Sequence, residues 1–262
     1  MSLELSEAKI KEYLKSDLDI HFKECVTSTN TVLVEMAKAV AKEGTVLIAN
    51  EQTAGKGRTG KSFYSPEGTG VYLSILVRPN INPEDSLFLT TIAAVATAKA
   101  IEDVSDKEAK IKWVNDVYVD GKKVCGILTE SALSPTGEKL DYAVVGIGIN
   151  ISPPEGGFPD NIKNIATSVF DKNPDSNTKG KLVAHLLDYF MDYYMSKKSE
   201  NHLEEYINRS NILGDIIIIE KGNMKFKARA IDIDSNCRLI VEDESGNEYT
   251  LNSGEVSIDI ND

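Results

Sequence analysis

The 262-residue chain carries 29 Lys and Arg against 41 Asp and Glu, for a net charge of −12, and is 41% hydrophobic. That composition belongs to a folded chain of one or two domains and excludes disordered or fibrous protein, while the acidic balance excludes a broadly basic nucleic-acid surface. No apolar run reaches the ~18 residues of a membrane span, and three scattered Cys and three scattered His leave neither a zinc motif nor a disulfide framework. The acidic start has no apolar signal core, so a reducing cytoplasm is the expected compartment.

Residues 6–16 read as a short amphipathic helix built on Ala8, Ile10, Tyr13 and Leu14, with no room for a helix-turn-helix before the core begins. His21–Val26 reads as a strand. Ser28, Thr29 and Asn30 offer N-caps to a helix through Lys42, with Gly44 just past its end. Val46–Ala49 is a short buried strand. The polar, Gly-rich connection over residues 51–70 is long enough in a compact domain to need a functional reason. After a strand at Val71–Val77, Asn82-Pro83-Glu84-Asp85 opens an Ala-rich helix to about Val104. Lys110–Val114, Val117–Val119, Val124–Ser131 and Asp141–Ile149 read as strands, with Asp120-Gly121 as a hairpin turn. A second loop spans 150–164, and helices follow from Thr178 to about Lys198 and over 200–209. The texture then changes. Asp215–Glu220, Lys225–Asp232, Arg238–Val241 and Glu248–Leu251 are short strands parted by Gly-Asn, Asp-Ser-Asn and Ser-Gly-Asn turns, which predicts a small barrel appended to an α/β unit.

The stretch Gly55-Lys56-Gly57-Arg58-Thr59-Gly60-Lys61-Ser62 fits two phosphate-binding patterns, G-x-x-x-x-G-K-[ST] and G-x-G-x-x-G. Both need a helix to begin at the last glycine, because its N-terminus holds the phosphates. Pro66, Gly68 and Gly70 follow instead and break one. The chemistry of the loop survives. Its glycines admit a ligand close to the backbone, and Lys56, Arg58 and Lys61 concentrate positive charge suited to an anion such as a polyphosphate.

Seven stretches then occur in an order that resembles the biotin protein ligases: Ser28-Thr29-Asn30, Gln52 through Gly60, Ser65-Pro66, Lys112-Trp113-Val114-Asn115-Asp116, Gly126 through Glu130, Gly146 through Asn150, and Ala166-Thr167-Ser168. Gly254-Glu255-Val256-Ser257 resembles a motif of that family's C-terminal SH3-like domain. The resemblance covers roughly residues 25–258 and looks like the ligase-only form, without the N-terminal DNA-binding domain of the bifunctional members. It implies a catalytic domain of α/β (α+β) class over residues 1–210, with a mixed sheet backed by helices as in class II synthetases and biotin ligases. A small SH3-like β-barrel is then expected over 211–262.

The implied reaction joins biotin and MgATP to biotinyl-5′-AMP, then acylates one lysine of a biotin carboxyl carrier protein. ATP, Mg2+ and biotin are the implied small molecules, and a homodimer is a family-based expectation. The biotin carboxylate is already anionic, so no side-chain nucleophile is needed, and fixed positive charge must offset its repulsion by the triphosphate. The resemblance assigns biotin contacts to Ser28, Thr29, Asn30, Gln52, Gly55, Lys56, Gly57, Arg58, Lys112 and Gly126. It assigns nucleotide contacts to Lys56, Arg58, Lys112, Asn115 and Asn150, with Lys112 and Arg58 as the catalytic pair. No resident metal site is expected; Asp116, a lone carboxylate, is the one group there that could reach magnesium. Two departures stand out. Lys56 replaces the family's usual arginine and loses its planar fork, and Val114 replaces a proline. Lipoate–protein ligase is the nearest rival; the Gln52–Gly60 loop and the β-rich tail favour biotin. Lys112 and Arg58 argue against a nucleotide-binding adaptor without catalysis, and the missing helix argues against a P-loop ATPase.

Overall fold

The computed structural model describes residues 5–196, 199–221 and 224–258. The first four residues, Lys197-Lys198 at the expected end of the long helix and the Gly222-Asn223 turn lie outside the described residues. In chain order the elements are α1 (Glu7–Lys11), β1 (Asp19–Val26), α2 (Thr29–Lys38), β2 (Thr45–Gln52), β3 (Gly70–Val77), α3 (Leu87–Val104), β4 (Lys110–Lys112), β5 (Asp116–Val119), β6 (Lys122–Leu133), β7 (Leu140–Asn150), α4 (Ser176–Met195), α5 (Ser199–Asn208), β8 (Ile216–Lys221), β9 (Met224–Ile233), β10 (Leu239–Glu242), β11 (Glu248–Leu251) and β12 (Glu255–Ile258).

The first seven strands form one sheet in the order β1-β2-β3-β7-β6-β5-β4. Only β1 and β2 run parallel; the other neighbours are antiparallel, so the sheet is mixed. Local signals are honoured. Asp175 caps α4 by accepting from the Thr178 amide at 2.8 Å. The β5–β6 hairpin turns on Asp120 and Gly121, both at positive φ (51° and 73°), the pairing a tight primed turn demands.

The two faces of this sheet differ. On one, Leu73, Ile75, Ile127, Val145 and Ile147 pack under α3 and α4 in the main core; α3 buries Ala93, Ala94, Ala96, Ala98 and Ala100 completely. On the other, α2 covers only one end, where Leu33 and Ala37 meet Leu47, Leu76, Tyr142 and Val144 in a small separate cluster. The middle of that face carries Gly126, Gly146 and Gly148. In Gly146-Ile147-Gly148-Ile149 the period-two alternation of a strand thus places isoleucines in the core and bare backbone on the open side.

The tail departs from the expected barrel. Its five strands form an open sheet in the order β11-β10-β9-β8-β12. β11 pairs only with β10 and β12 only with β8, and among the described residues no pairing joins the two edges. The physical reason lies in what covers the sheet. The tail's apolar residues, including Ile212, Ile217, Ile219, Ala230, Leu239, Val241 and Val256, are buried in one continuous cluster with Trp113 and Tyr206 of the larger unit. The sheet is closed by the rest of the molecule and has no need to curl onto itself.

Candidate active site

The open face of the large sheet is built row by row. Lys112, Asp116, Gly126, Gly148 and Tyr72 are register neighbours across β4, β5, β6, β7 and β3. The next row on that face holds Leu128, Gly146 and Ser74. A Cβ on Gly146 would come within 2.0 Å of Asn30 Oδ1, and one on Gly148 within 2.5 Å of Phe63 Cε1, so both positions require glycine as the neighbours stand. The result is a flat floor on which a planar ring can lie against backbone.

The start of α2 supplies one wall. Ser28, Thr29 and Asn30 are all buried. Asn30 donates to the Leu128 carbonyl at 3.1 Å and to Glu130 at 2.9 Å, and accepts from Ser74 at 2.6 Å. Thr29 donates its amide to Gln52 Oε1 at 2.8 Å, and Gln52 donates on to Ser65 at 2.9 Å. Ser28 occupies the N-cap position yet makes no capping bond with its side chain. Apart from Glu130, whose carboxylate is offset by the Lys56 ammonium at 3.3 Å, these are neutral donors and acceptors, fixed by one another, around a chamber that Gly126 and Lys56 also line. Phe63 lies over Gly126 and Gly148 and leaves the chamber about 20 Å³, space for roughly one water.

The Gly-rich loop folds back as a small hairpin. Lys56 bridges to Ser62, the Gly57 amide donates to the Lys61 carbonyl (2.7 Å), and the Phe63 amide donates to the Gly55 carbonyl (2.9 Å). A Cβ on Gly55 would sit 2.4 Å from the Phe63 carbonyl oxygen, so this glycine serves the turn and lines neither chamber. Only a short 3-10 turn at Arg58–Gly60 follows, which disposes of the helix that a P-loop needs.

Beside the floor opens a cleft of about 330 Å³. Lys56, Arg58, Lys61, Lys112 and Lys123 line it, with Asp116 as its one carboxylate. Five cations in a chain of net charge −12 make it a local electropositive basin. Phe158, Ile162, Ile165 and Val256 give it an apolar side. Arg58 donates to Asn115 Oδ1 at 3.0 Å, and Asn115 donates to the Ile127 carbonyl at 3.0 Å. Asn150 lines the same cleft and ties down the second loop by donating to the Thr167 carbonyl at 3.0 Å. Lys112 stands on β4 with its ammonium 5.8 Å from the centre of the Tyr118 ring.

Lys123, absent from the expected set, lines the cleft beside Gly126, a residue that both chambers share. Its Nζ lies 2.7 Å from Asp116 Oδ1 and 3.2 Å from where a Cβ on Gly126 would be. The contact with Asp116 is ionic, with no donor aligned for a hydrogen bond to that oxygen. Phe63 is the second unexpected member, as the wall shared by both chambers. Among the described residues, no group of three His, Cys, Asp or Glu converges as a metal cage.

Residues 22–150 match the Biotin/lipoate A/B protein ligase family and residues 212–259 match the Biotin protein ligase C terminal domain. The Bifunctional ligase/repressor BirA of Bacillus subtilis is 31% identical over 253 residues, covering 92% of this chain and 76% of that protein. The chain belongs to the biotin protein ligase family. A biotin–[acetyl-CoA-carboxylase] ligase of Mycobacterium tuberculosis is 30% identical over 238 residues, covering 87% of this chain and 85% of that one. Among solved structures, a biotin protein ligase from Aquifex aeolicus in complex with biotin and ATP superimposes with a TM-score of 0.74 at 27% identity, covering 92% of this chain and 98% of that one. Seen as a biotin protein ligase, the molecule has two adjoining chambers of different chemistry, one neutral and glycine-floored, the other cationic with an apolar side.

Proposed function

We propose that this chain activates biotin with ATP and passes it to a lysine of a carboxyl carrier domain. The observation that carries the reading is the junction of a neutral, glycine-floored chamber with a cationic cleft at Phe63, Lys56 and Gly126. The flat ureido bicycle suits the floor and the Ser28–Thr29–Gln52 network, because it needs neutral partners in fixed positions. Its valeryl carboxylate then points towards the cations. There a carboxylate oxygen attacks the α-phosphorus of ATP and pyrophosphate leaves with the bonding electrons, giving biotinyl-5′-AMP. An unprotonated lysine amine of the carrier next attacks the acyl carbon. AMP departs, the amine loses its proton to solvent, and an amide remains.

For this sequence Lys123 is better placed than Lys112 to bridge carboxylate and α-phosphate, since it stands beside the shared Gly126 and Lys112 on the outermost strand of the same row. We assign Arg58, Lys56 and Lys61 to the phosphates, Asn115 to holding Arg58, and Lys112 to the outer part of the triphosphate. Magnesium bound to the nucleotide would neutralise part of its phosphate charge. Asp116, already paired with Lys123, is the one carboxylate lining the cleft among the described residues and would be the protein group able to reach it.

We further divide the chain into a catalytic unit over 1–210 and a C-terminal unit over 211–262. Among the described residues no helix is long and apolar enough to cross a membrane. We assign the chain to a reducing cytoplasm on its three free thiols, Cys25, Cys125 and Cys237. A homodimer across a sheet edge would use β1, because residues 209–211 already hydrogen-bond along β4 at Ile111.

The test is ATP–pyrophosphate exchange with biotin or lipoate supplied separately, followed by transfer to a carrier domain. Exchange that requires biotin is expected. Exchange with lipoate alone, or none with either, overturns the reading.

A further inference from the structure

The turn that joins β4 to β5 carries Trp113, Val114 and Asn115, and it is held by parts of the molecule far from it in sequence. Trp113, 3% exposed, donates its indole Nε1–H to the backbone carbonyl of Cys237 at 3.0 Å. Tyr206 on α5 donates to the Val114 carbonyl at 3.1 Å. Cys237 lies in the β9–β10 turn and adopts a left-handed backbone, φ 62°, unusual for a residue with a side chain. Its thiol is fixed from two further elements. Thr91 Oγ1 on α3 lies 3.3 Å from Sγ, and His202 Nε2 on α5 lies 3.6 Å away. Burial pushes the thiol pKa up, so the group stays neutral.

We propose that Cys237 is a positioning residue for the ligation reaction: its thiol, wedged between Thr91 and His202, fixes the left-handed turn whose carbonyl holds Trp113, and through Trp113 the register of Lys112, Asn115 and Asp116. The inference rests on the assignment of that strand pair to the nucleotide half of the cleft. Two features separate it from simple packing. The carbonyl of a left-handed residue points where an ordinary turn would not aim it. The indole of Trp113 is also oriented by a partner 124 residues away rather than by its own strand pair. A turn displaced by about an ångström would carry three cleft residues with it, and misplacement of that size can cost about a hundredfold in rate.

The test combines Cys237→Gly, which tolerates the positive φ but removes the wedge, with Trp113→Phe, which keeps a ring but removes the donor. Each should lower kcat for biotin-dependent pyrophosphate exchange by about tenfold, with the dissociation constant for biotin unchanged within about twofold. Cys237→Ser, which preserves size and a polar tip, should restore kcat. In the double variant the kcat losses should not multiply, because both break one relay. Losses in kcat that multiply, or a kcat that falls in step with biotin affinity and melting temperature, would overturn the proposal. A wild-type protein without biotin-dependent exchange would instead overturn the functional reading beneath it.

Discussion

Arg58 donates from Nη1 to Asn115 Oδ1 across 3.0 Å, joining the tip of the Gly-rich loop to the turn between β4 and β5. The loop therefore rests on the far bank of the cleft, with the guanidinium we assign to phosphate held by a neutral amide. A phosphate arriving between them offers Arg58 two parallel charge-assisted bonds in place of one neutral acceptor.

Biotinyl-5′-AMP is a mixed anhydride that reacts with any exposed amine, and its single phosphate charge is the available handle. Arg58→Gly should still make the adenylate, more slowly, and release it at least tenfold faster, the loss of roughly 1.5–3 kcal/mol of charged hydrogen bonding. An unrelated lysine-rich protein added with biotin and ATP should then become labelled on a streptavidin blot. An unlabelled bystander together with unchanged adenylate release would place the clamp elsewhere.

The two lysines of the cleft should separate under substitution. Lys123→Met is expected to lower adenylate formation by about two to three orders of magnitude, as loss of a charge aimed at the developing transition state does. Lys112→Met, farther from the junction, is expected to cost about tenfold and to appear mainly in the KM for ATP. Circular dichroism would verify that both fold. The reverse order of losses would return the bridging role to Lys112.

Gly148 and Gly126 provide a graded test of the floor. A Cβ at Gly148 meets Phe63 at 2.5 Å, while one at Gly126 meets Phe63 and Lys123 at 3.2 Å. Gly148→Ala should therefore weaken biotin binding more than Gly126→Ala, by about tenfold or more against a fewfold, in titration calorimetry. Equal, small effects would show that the bicycle does not lie on this floor.

Tyr118 is one of several buried phenols, with Tyr72, Tyr194 and Tyr206, that lower stability in alkali. Burial, aided by the nearby Asp116 charge, pushes its phenol up to about 12. The unfolded chain ionises near pH 10, so in this interval the unfolded state binds fewer protons and gains population. The contribution is intact below about pH 10 and is lost as pH rises towards 12. Tyr118→Phe should flatten that part of the pH–stability curve measured by denaturant titration. A curve parallel to wild type would remove Tyr118 as one of its causes.

Much of this was legible in the sequence. Asp141–Ile149 reads as a strand, although the bare face that Gly146 and Gly148 give it is not announced, and Asp120-Gly121 announces its hairpin. Ser28, Thr29, Asn30 and Gln52 do meet at one chamber, while Arg58, Asn115 and Asn150 meet at the other. Lys123 was hidden for a physical reason. It stands three positions before Gly126, an odd offset that in a regular strand sends the two to opposite faces. A bulge where β5 passes from Val117 to Tyr118 adds one residue on β6 and turns Lys123 to the glycine side. Hydrophobic periodicity carries no mark of such an insertion. Closure of the tail was equally unreadable, because short strands with turn residues look alike whether their last edges pair or lean on a neighbour.

That leaning sheet has a consequence for cooperativity. Ile217, Ile219, Leu239 and Val241 share one core with α5 and with the turn that carries Trp113, so each half of the molecule completes the interior of the other. Calorimetry should then record a single transition, with van't Hoff and calorimetric enthalpies in agreement. For the same reason the tail is not a transferable module. A tail grafted from a relative would bring its own side chains to a surface fitted to these, and the mismatch would be felt within the catalytic cleft as much as in the graft.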